Sequence, residues 1–156
     1  MKRVTIRSPI SDDLAAPIGR VIIEWARLEG TVHLAFIQCL GLAEKPGRAI
    51  AGNIRRASVL FKIIEQVVDL TDEQRAYLSN TKNCIKALEK ERNEVTHRFW
   101  LQGESGTIDG FQTTHAKEVA TIERDATYFS CLAERICSAN DQLLAFWLEI
   151  FEQQPS

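Results

Sequence analysis

The segment TDEQRAYLSNTKNCIKALEKERNEVTH, residues 71–97, decides the fold of this chain. Its apolar residues recur at spacings of three and four, which is typical of a helix that buries one stripe. Thr71 and Gln74 stand three residues apart at its start, as in a capping box, where each side chain bonds the backbone N–H of the other. The segment therefore predicts a long helix over residues 72–97.

Stripes of the same spacing extend on both sides of this helix. They predict further helices at about residues 11–41, 47–70 and 125–152. Two short β-rich runs flank a glycine-bounded turn and predict a hairpin at about residues 98–112. Residues 113–124 carry no clear pattern. We therefore expect residues 1–156 to form one all-α domain, an antiparallel bundle of four to five helices with a short β-hairpin inserted before the last helix.

Charge and cysteine usage exclude several classes of protein. A net charge of −2 argues against a protein that coats nucleic acid along its whole surface, although a local basic patch remains compatible with it. The cysteines Cys39, Cys84, Cys131 and Cys137 form no Cys-x-x-Cys pair, so we expect buried, reduced thiols. No metal-ligand spacing or phosphate loop occurs, and we expect neither a metal nor a cofactor.

The first residues of the sequence predict no secretory signal peptide. Residues 1–9 include basic side chains, but Ser11-Asp12-Asp13 follows and no apolar signal region develops. No stretch approaches the roughly 20 apolar residues that a membrane span needs. We expect a cytoplasmic protein without a membrane partner.

Arg92 breaks the apolar stripe of the third predicted helix. It stands one heptad after Ile85 and three residues before Val95, where an apolar side chain is expected. A guanidinium on a buried seam is costly unless it has a partner. In one interpretation, Arg92 extends its guanidinium to the rim of the bundle or pairs with a carboxylate across it. In the other, Arg92 serves a function. Glu29, at the border of the first helix's seam, is a candidate partner, or else simply an exposed glutamate.

His97 lies on another face of the same helix. Helical geometry places it near Asn93 and near the row Lys82, Lys86 and Lys90, and about 140° from Arg92. Such a row leading to an Asn–His pair is suited to a phosphodiester backbone. The alternative is a solvated lysine face with His97 capping the helix end. Arg92 and His97 can meet only if the helix bends or a second copy of the chain supplies one of them.

The run Arg92-Asn93-Glu94-Val95-Thr96-His97 resembles the Arg-x4-6-His motif of the HEPN (higher eukaryotes and prokaryotes nucleotide-binding) superfamily. The polar Asn93 after the arginine belongs to that motif. Trp25-x-x-Leu28-Glu29 and Arg98-Phe99-Trp100 are similar to a group of bacterial and phage proteins with this layout. The resemblance covers about residues 11–152.

The resemblance implies a metal-independent RNA endonuclease that acts as a homodimer with its two motifs in a shared cleft. By that analogy His97 handles the proton of the ribose 2′-hydroxyl or of the leaving group, Arg92 holds the scissile phosphate, and Asn93 orients one of them. Lys82, Lys86, Lys90 and Glu29 are the candidate substrate-binding residues.

Two function hypotheses follow from these residues. The first is a ribonuclease, the toxin of a toxin–antitoxin system or a phage-defence component, with RNA and a cognate antitoxin or other protein as partners. The second is a non-catalytic HEPN-like dimeric module that binds a protein or nucleotide partner. The mild negative charge and the modest basic surface support the second.

Overall fold

The computed structural model describes residues 10–54, 56–102, 108–113 and 119–152 of the chain. The described part contains helices α1 (Asp12–Cys39), α2 (Glu44–Asn53), α3 (Ala57–Val67), α4 (Asp72–His97) and α5 (Ala126–Glu152), with strands between α4 and α5. The predicted helical bundle with a β-hairpin inserted before the last helix is confirmed.

The first helix is the centre of the bundle, because α1 packs against each of the other four helices. Its buried stripe includes Val21, Leu28 and Val32, whose side chains are at most 1% exposed. The three- and four-residue spacing of these side chains places them on one side of the helix. Phe61 of α3 and Phe129 of α5 are fully buried in the same core.

The directions of the helices follow from the pairs that join them. The Thr31 hydroxyl of α1 donates to the side-chain oxygen of Asn140 of α5 at 2.6 Å, and Arg27 lies beside Cys137. Residue numbers therefore rise together along α1 and α5, so these two helices are parallel and the predicted antiparallel order does not hold for this pair. In contrast, the Tyr77 hydroxyl of α4 reaches the carbonyl of Gln142, and two hydrogen bonds of 2.8 and 2.9 Å join Arg135 of α5 to Glu91. Helices α4 and α5 therefore run in opposite directions.

The single helix predicted at residues 47–70 is wrong, because two helices occupy this region. The backbone leaves helical geometry at Ile54 (φ −95°, ψ 93°) and is still extended at Arg56 (φ −115°, ψ 116°). Just before the break, the Asn53 side-chain amide donates to the Ala49 carbonyl at 2.7 Å. Asparagine is a poor helix former because its side chain competes for backbone hydrogen bonds, which favours an end to α2 here.

The hairpin predicted at residues 98–112 is present as β1 (Phe99–Gln102) and β2 (Ile108–Thr113), which pair antiparallel. Its predicted glycine-bounded turn, residues 103–106, lies outside the described residues. A further strand, β3 (Val119–Arg124), pairs antiparallel with β2 and gives a three-stranded sheet in the order β1-β2-β3. This third strand lies within residues 113–124, for which no element was predicted.

Among the described residues, none of the helices has the length and apolar character needed to cross a bilayer.

The bounds of α1, α4 and α5 agree with the predicted helices to within about two residues, the usual uncertainty of helix ends.

Candidate nucleic-acid interface at the end of α4

The start of α4 is fixed by the predicted capping box. The Thr71 hydroxyl accepts the Gln74 backbone N–H at 3.2 Å, and the Gln74 side chain accepts the Thr71 backbone N–H at 3.0 Å. Two backbone donors that the helix itself leaves without partners are thereby satisfied. The box sets where α4 begins and therefore which residues lie along each of its faces.

The other end of α4 is fixed by Trp100 in strand β1. Its indole N–H donates to the Val95 carbonyl at 2.8 Å, and its ring packs edge-on against Phe129 of α5 at 5.3 Å. The Thr96 hydroxyl donates within the last turn, to the carbonyls of Arg92 and Asn93. These contacts hold the last turn of the helix, from which His97 projects into solvent.

An open pocket of about 350 Å³ lies along the exposed face of this last part of α4. It is lined by Lys86, Glu89, Lys90, Asn93, Glu94 and His97. The sequence predicted that His97, Asn93, Lys86 and Lys90 share a face, and the structure brings these four residues together. Glu89 and Glu94 were not anticipated, and they give the pocket both signs of charge. Such a pocket is suited to a local phosphate contact rather than to a long, uniformly basic track.

Lys82 does not line this pocket. Its ammonium nitrogen lies 2.7 and 2.8 Å from the two carboxylate oxygens of Glu65 on α3. Both side chains are largely buried, at 25% and 18% exposure. The predicted lysine row is therefore divided, because Lys86 and Lys90 lie with His97 whereas Lys82 ties α4 to α3.

Arg92 lies between α4 and α1, where it contacts Trp25 and Glu29. The centre of its guanidinium is 4.5 Å from the centroid of the Trp25 ring, within the range of a cation–π contact. One terminal nitrogen lies 3.4 Å from a carboxylate oxygen of Glu29, so the pairing of these two residues that the sequence left open is present. We call Trp25, Glu29 and Arg92 the Arg92 cluster.

The Arg92 cluster contains two buried donors for which no described residue supplies an acceptor. The Arg92 Nε and the Trp25 indole Nε1 are both buried, and neither has a hydrogen-bond partner among the described residues. The Arg92 side chain is 19% exposed, whereas Glu29 is 43% exposed and so lies nearer to solvent. Trp25 is itself 5% exposed, and its contact with Arg92 was not predicted from the sequence. Its spacing of four from Glu29 was the available signal that both share a face towards Arg92.

Arg92 and His97 do not share a pocket within one chain. His97 belongs to the exposed pocket on α4, and Arg92 to the cluster against α1. This separation follows from the angle of about 140° between the two positions on a continuous helix. The helix does not end between the two residues, because α4 continues to His97.

The prediction of buried cysteines is wrong for Cys84 and Cys131, and Cys39 and Cys137 are only partly buried. Cys84 and Cys131 are exposed, while Cys39 and Cys137 are partly exposed, and all four thiols are free. Cys84 directly precedes the buried Ile85, but one residue along a helix turns the side chain by about 100°. An apolar neighbour in sequence therefore does not imply burial.

Within the described residues, no three His, Cys, Asp or Glu side chains are grouped as metal ligands.

Comparison of this chain with protein-family models, with curated proteins and with solved structures finds no match.

Proposed function

We propose that the protein is a metal-independent RNA endonuclease that acts as a homodimer. The observation that carries the proposal is the pocket at the end of α4, where His97 and Asn93 lie beside Lys86 and Lys90. A group able to transfer protons, an amide and two cations on one exposed face are the side chains that a phosphodiester needs. The resemblance of residues 92–97 to the HEPN motif supports the same activity.

The reaction that suits these groups is attack of the ribose 2′-hydroxyl on the adjacent phosphorus. The 2′-oxygen forms a bond to phosphorus, the bond from phosphorus to the 5′-oxygen breaks, and the products are a 2′,3′-cyclic phosphate and a 5′-hydroxyl. One proton leaves the 2′-oxygen and one is delivered to the 5′-oxygen. His97 serves one of these transfers, and Asn93 orients it or the phosphate.

Arg92 supplies the charge that stabilises the transition state. Its guanidinium binds the non-bridging phosphate oxygens, which gain negative charge as the 2′-oxygen attacks. Because Arg92 and His97 occupy different faces of α4, we propose that Arg92 of one protomer acts with the partner's His97 in a shared cleft.

The test incubates the purified protein with mixed RNA in EDTA, beside Arg92→Ala and His97→Ala variants. We expect cleavage by the wild type and a loss of about 100-fold or more in each variant. Fragments should end in a 2′,3′-cyclic phosphate, and an RNA with a single 2′-deoxy residue should resist cleavage at that position. Cleavage that persists in both variants, or that requires a divalent metal, contradicts the mechanism.

The biological role we propose is that of a toxin in a toxin–antitoxin pair or of a phage-defence nuclease. Induced expression of the wild type in bacteria should arrest growth and degrade RNA, whereas His97→Ala should not. Arrest that is independent of His97 would contradict this role.

A second candidate is a non-catalytic dimeric module that binds a protein or nucleotide. The observation that favours it is the Arg92 cluster, because Glu29 and Trp25 already engage Arg92 without any substrate. This candidate predicts no RNA cleavage by wild-type protein, and a loss of thermal stability in Arg92→Ala from lost packing against Trp25.

A further inference from the structure

The Arg92 guanidinium is poorly satisfied for a side chain that is mostly buried. A guanidinium carries five N–H donors, and those of Arg92 make one hydrogen bond to a described residue, at 3.4 Å. That distance is beyond the usual range for a strong N–H···O bond. The Trp25 ring centroid lies 4.5 Å from the centre of the guanidinium, and the indole nitrogen is a donor that cannot accept a hydrogen bond from Arg92. Among the described residues, the Glu29 carboxylate is the one acceptor at the N–H edge of the guanidinium, which is fewer than a buried arginine normally has.

The Glu29 carboxylate contacts the N–H edge of the Arg92 guanidinium, and its exposure allows it to move away from that edge. Glu29 is 43% exposed, so its carboxylate can move into water at little cost. Arg92, at 19% exposure, is held beneath it by the Trp25 ring. A phosphate can offer two oxygens to the same guanidinium in a bidentate pair, which is stronger than one long contact.

We propose that Glu29 is an internal anion that occupies the phosphate-binding edge of Arg92 and must be displaced by a phosphodiester for RNA to bind. Trp25 is a positioning residue, since it holds the Arg92 guanidinium in place while a phosphodiester replaces the Glu29 carboxylate. That the ligand is RNA rests on the proposed function, whereas the competition of Glu29 for Arg92 is a separate proposal about regulation. Glu29 opposes binding, and it does not contact the RNA as a ligand.

Binding is best measured with an RNA that cannot react. A fluorescein-labelled 2′-O-methyl oligonucleotide lacks the attacking hydroxyl, so anisotropy reports affinity alone. The proteins compared are the wild type, Glu29→Gln, Arg92→Ala and the Glu29→Gln/Arg92→Ala double variant. Glu134→Gln is the control, because Glu134 is an exposed glutamate of α5 and the substitution removes the same charge.

We expect Glu29→Gln to bind about three- to tenfold more tightly than the wild type, since a competing anion has been removed. The gain should vanish in the double variant, and Glu134→Gln should stay within about twofold of the wild type. Cleavage of unmodified RNA by Glu29→Gln should show a lower KM with little change in kcat. Thermal unfolding of each variant identifies any that fails to fold, and Arg92→Met then replaces Arg92→Ala because it retains the apolar stem.

Several results would overturn the inference. These are equal affinities for Glu29→Gln and Glu134→Gln, a gain that persists without Arg92, weaker binding by Glu29→Gln, or no binding by either the wild type or Glu29→Gln. The proposed nuclease is judged independently by cleavage. If Glu29→Gln binds RNA more tightly only when Arg92 is present, but no protein cleaves RNA, the nuclease is contradicted and the role of Glu29 is supported. If the wild type cleaves RNA but Glu29→Gln binds no more tightly, the role of Glu29 is contradicted and the nuclease is supported.

Discussion

The lysines of α4 illustrate how side chains four residues apart on one helix take different roles. Lys82 lies where α3 packs against α4, so its ammonium meets the Glu65 carboxylate. Lys86 and Lys90 lie one and two turns further along and face the pocket that contains His97. The same residue type therefore serves packing in one turn and is available to a ligand in the next two.

Substitution of these lysines separates the two roles. We expect Lys86→Ala and Lys90→Ala each to weaken RNA binding by about three- to tenfold and to flatten its dependence on salt. Lys82→Ala should leave RNA affinity close to that of the wild type but reduce the free energy of unfolding by about 1 kcal/mol, because its ion pair is largely buried. Anisotropy and urea unfolding measure the two effects. Weaker RNA binding in Lys82→Ala than in Lys86→Ala would contradict the division of the row.

The cysteines differ in burial, which predicts that their thiols differ in reactivity. Burial raises the pKa of the Cys39 thiol to about 12, so almost none of it is thiolate at pH 8. Cys84 and Cys131 are exposed to solvent. We expect a thiol reagent at pH 8 to modify Cys84 and Cys131 within minutes and Cys39 only after unfolding, as peptide mass spectrometry of the labelled protein would show. Rapid labelling of Cys39 in the folded protein would contradict this.

Single residues were predictable from the sequence where the cause is local. The shared face of Asn93 and His97, and the separation of His97 from Arg92, follow from helical geometry alone. The contact of Arg92 with Glu29 depends on how α1 crosses α4, so the sequence could name Glu29 as a candidate but not decide between pairing and exposure. The contact of Trp25 with the Arg92 guanidinium also depends on how α1 crosses α4, and it was not predicted.

At the scale of elements, the crossing of α1 and α2 depends on a glycine. Gly47 is buried in α2, and a Cβ there would lie 2.8 and 2.9 Å from two side-chain carbons of Ile37 on α1. Contacts this short cannot be accommodated unless Ile37 moves, and Ile37 is itself only 6% exposed. The absence of a side chain at residue 47 therefore lets α2 lie close against α1.

A pair of glycine-to-alanine substitutions tests this crossing. Gly47→Ala should lower the free energy of unfolding by about 1–3 kcal/mol through overpacking. Gly19→Ala in α1 is the control, since its Cβ would meet nothing within 4 Å, and it should raise stability by about 0.5–1 kcal/mol because alanine favours helix. Thermal or urea unfolding measures both. A stabilising Gly47→Ala would show that α1 and α2 are not in close contact.

Elements were predictable where the signal is contained in a short run of residues. The capping box at Thr71 and the three- and four-residue spacing define α4 correctly. The end of α2 near Asn53 was missed because the apolar spacing continues through Ile54 and Ala57, while the backbone is extended at Ile54 and Arg56. Strand β3 was missed because it is defined by its pairing with β2, which is a tertiary contact.

At the scale of the whole molecule, the separation of Arg92 from His97 makes a specific demand on any mechanism that uses both. A single chain offers the histidine on an open pocket of α4 and the arginine against α1. A homodimer related by a two-fold axis can place the arginine of one copy beside the pocket of the other, and symmetry then produces two equivalent sites. The proposed cleavage therefore requires both copies at each site.

Mixing two inactive variants tests this composite site. Arg92→Ala and His97→Ala are each expected to be inactive as homodimers, but a heterodimer contains one site in which an intact Arg92 meets an intact His97 from the other copy. Random exchange makes about half of the dimers heterodimers, each with one of its two sites intact, so the mixture should recover about a quarter of wild-type cleavage. Separate unfolding and refolding of each variant before mixing provides the control for exchange. If Arg92 and His97 instead acted within one chain, both sites of the heterodimer would lack a residue, and the mixture would remain as inactive as its components.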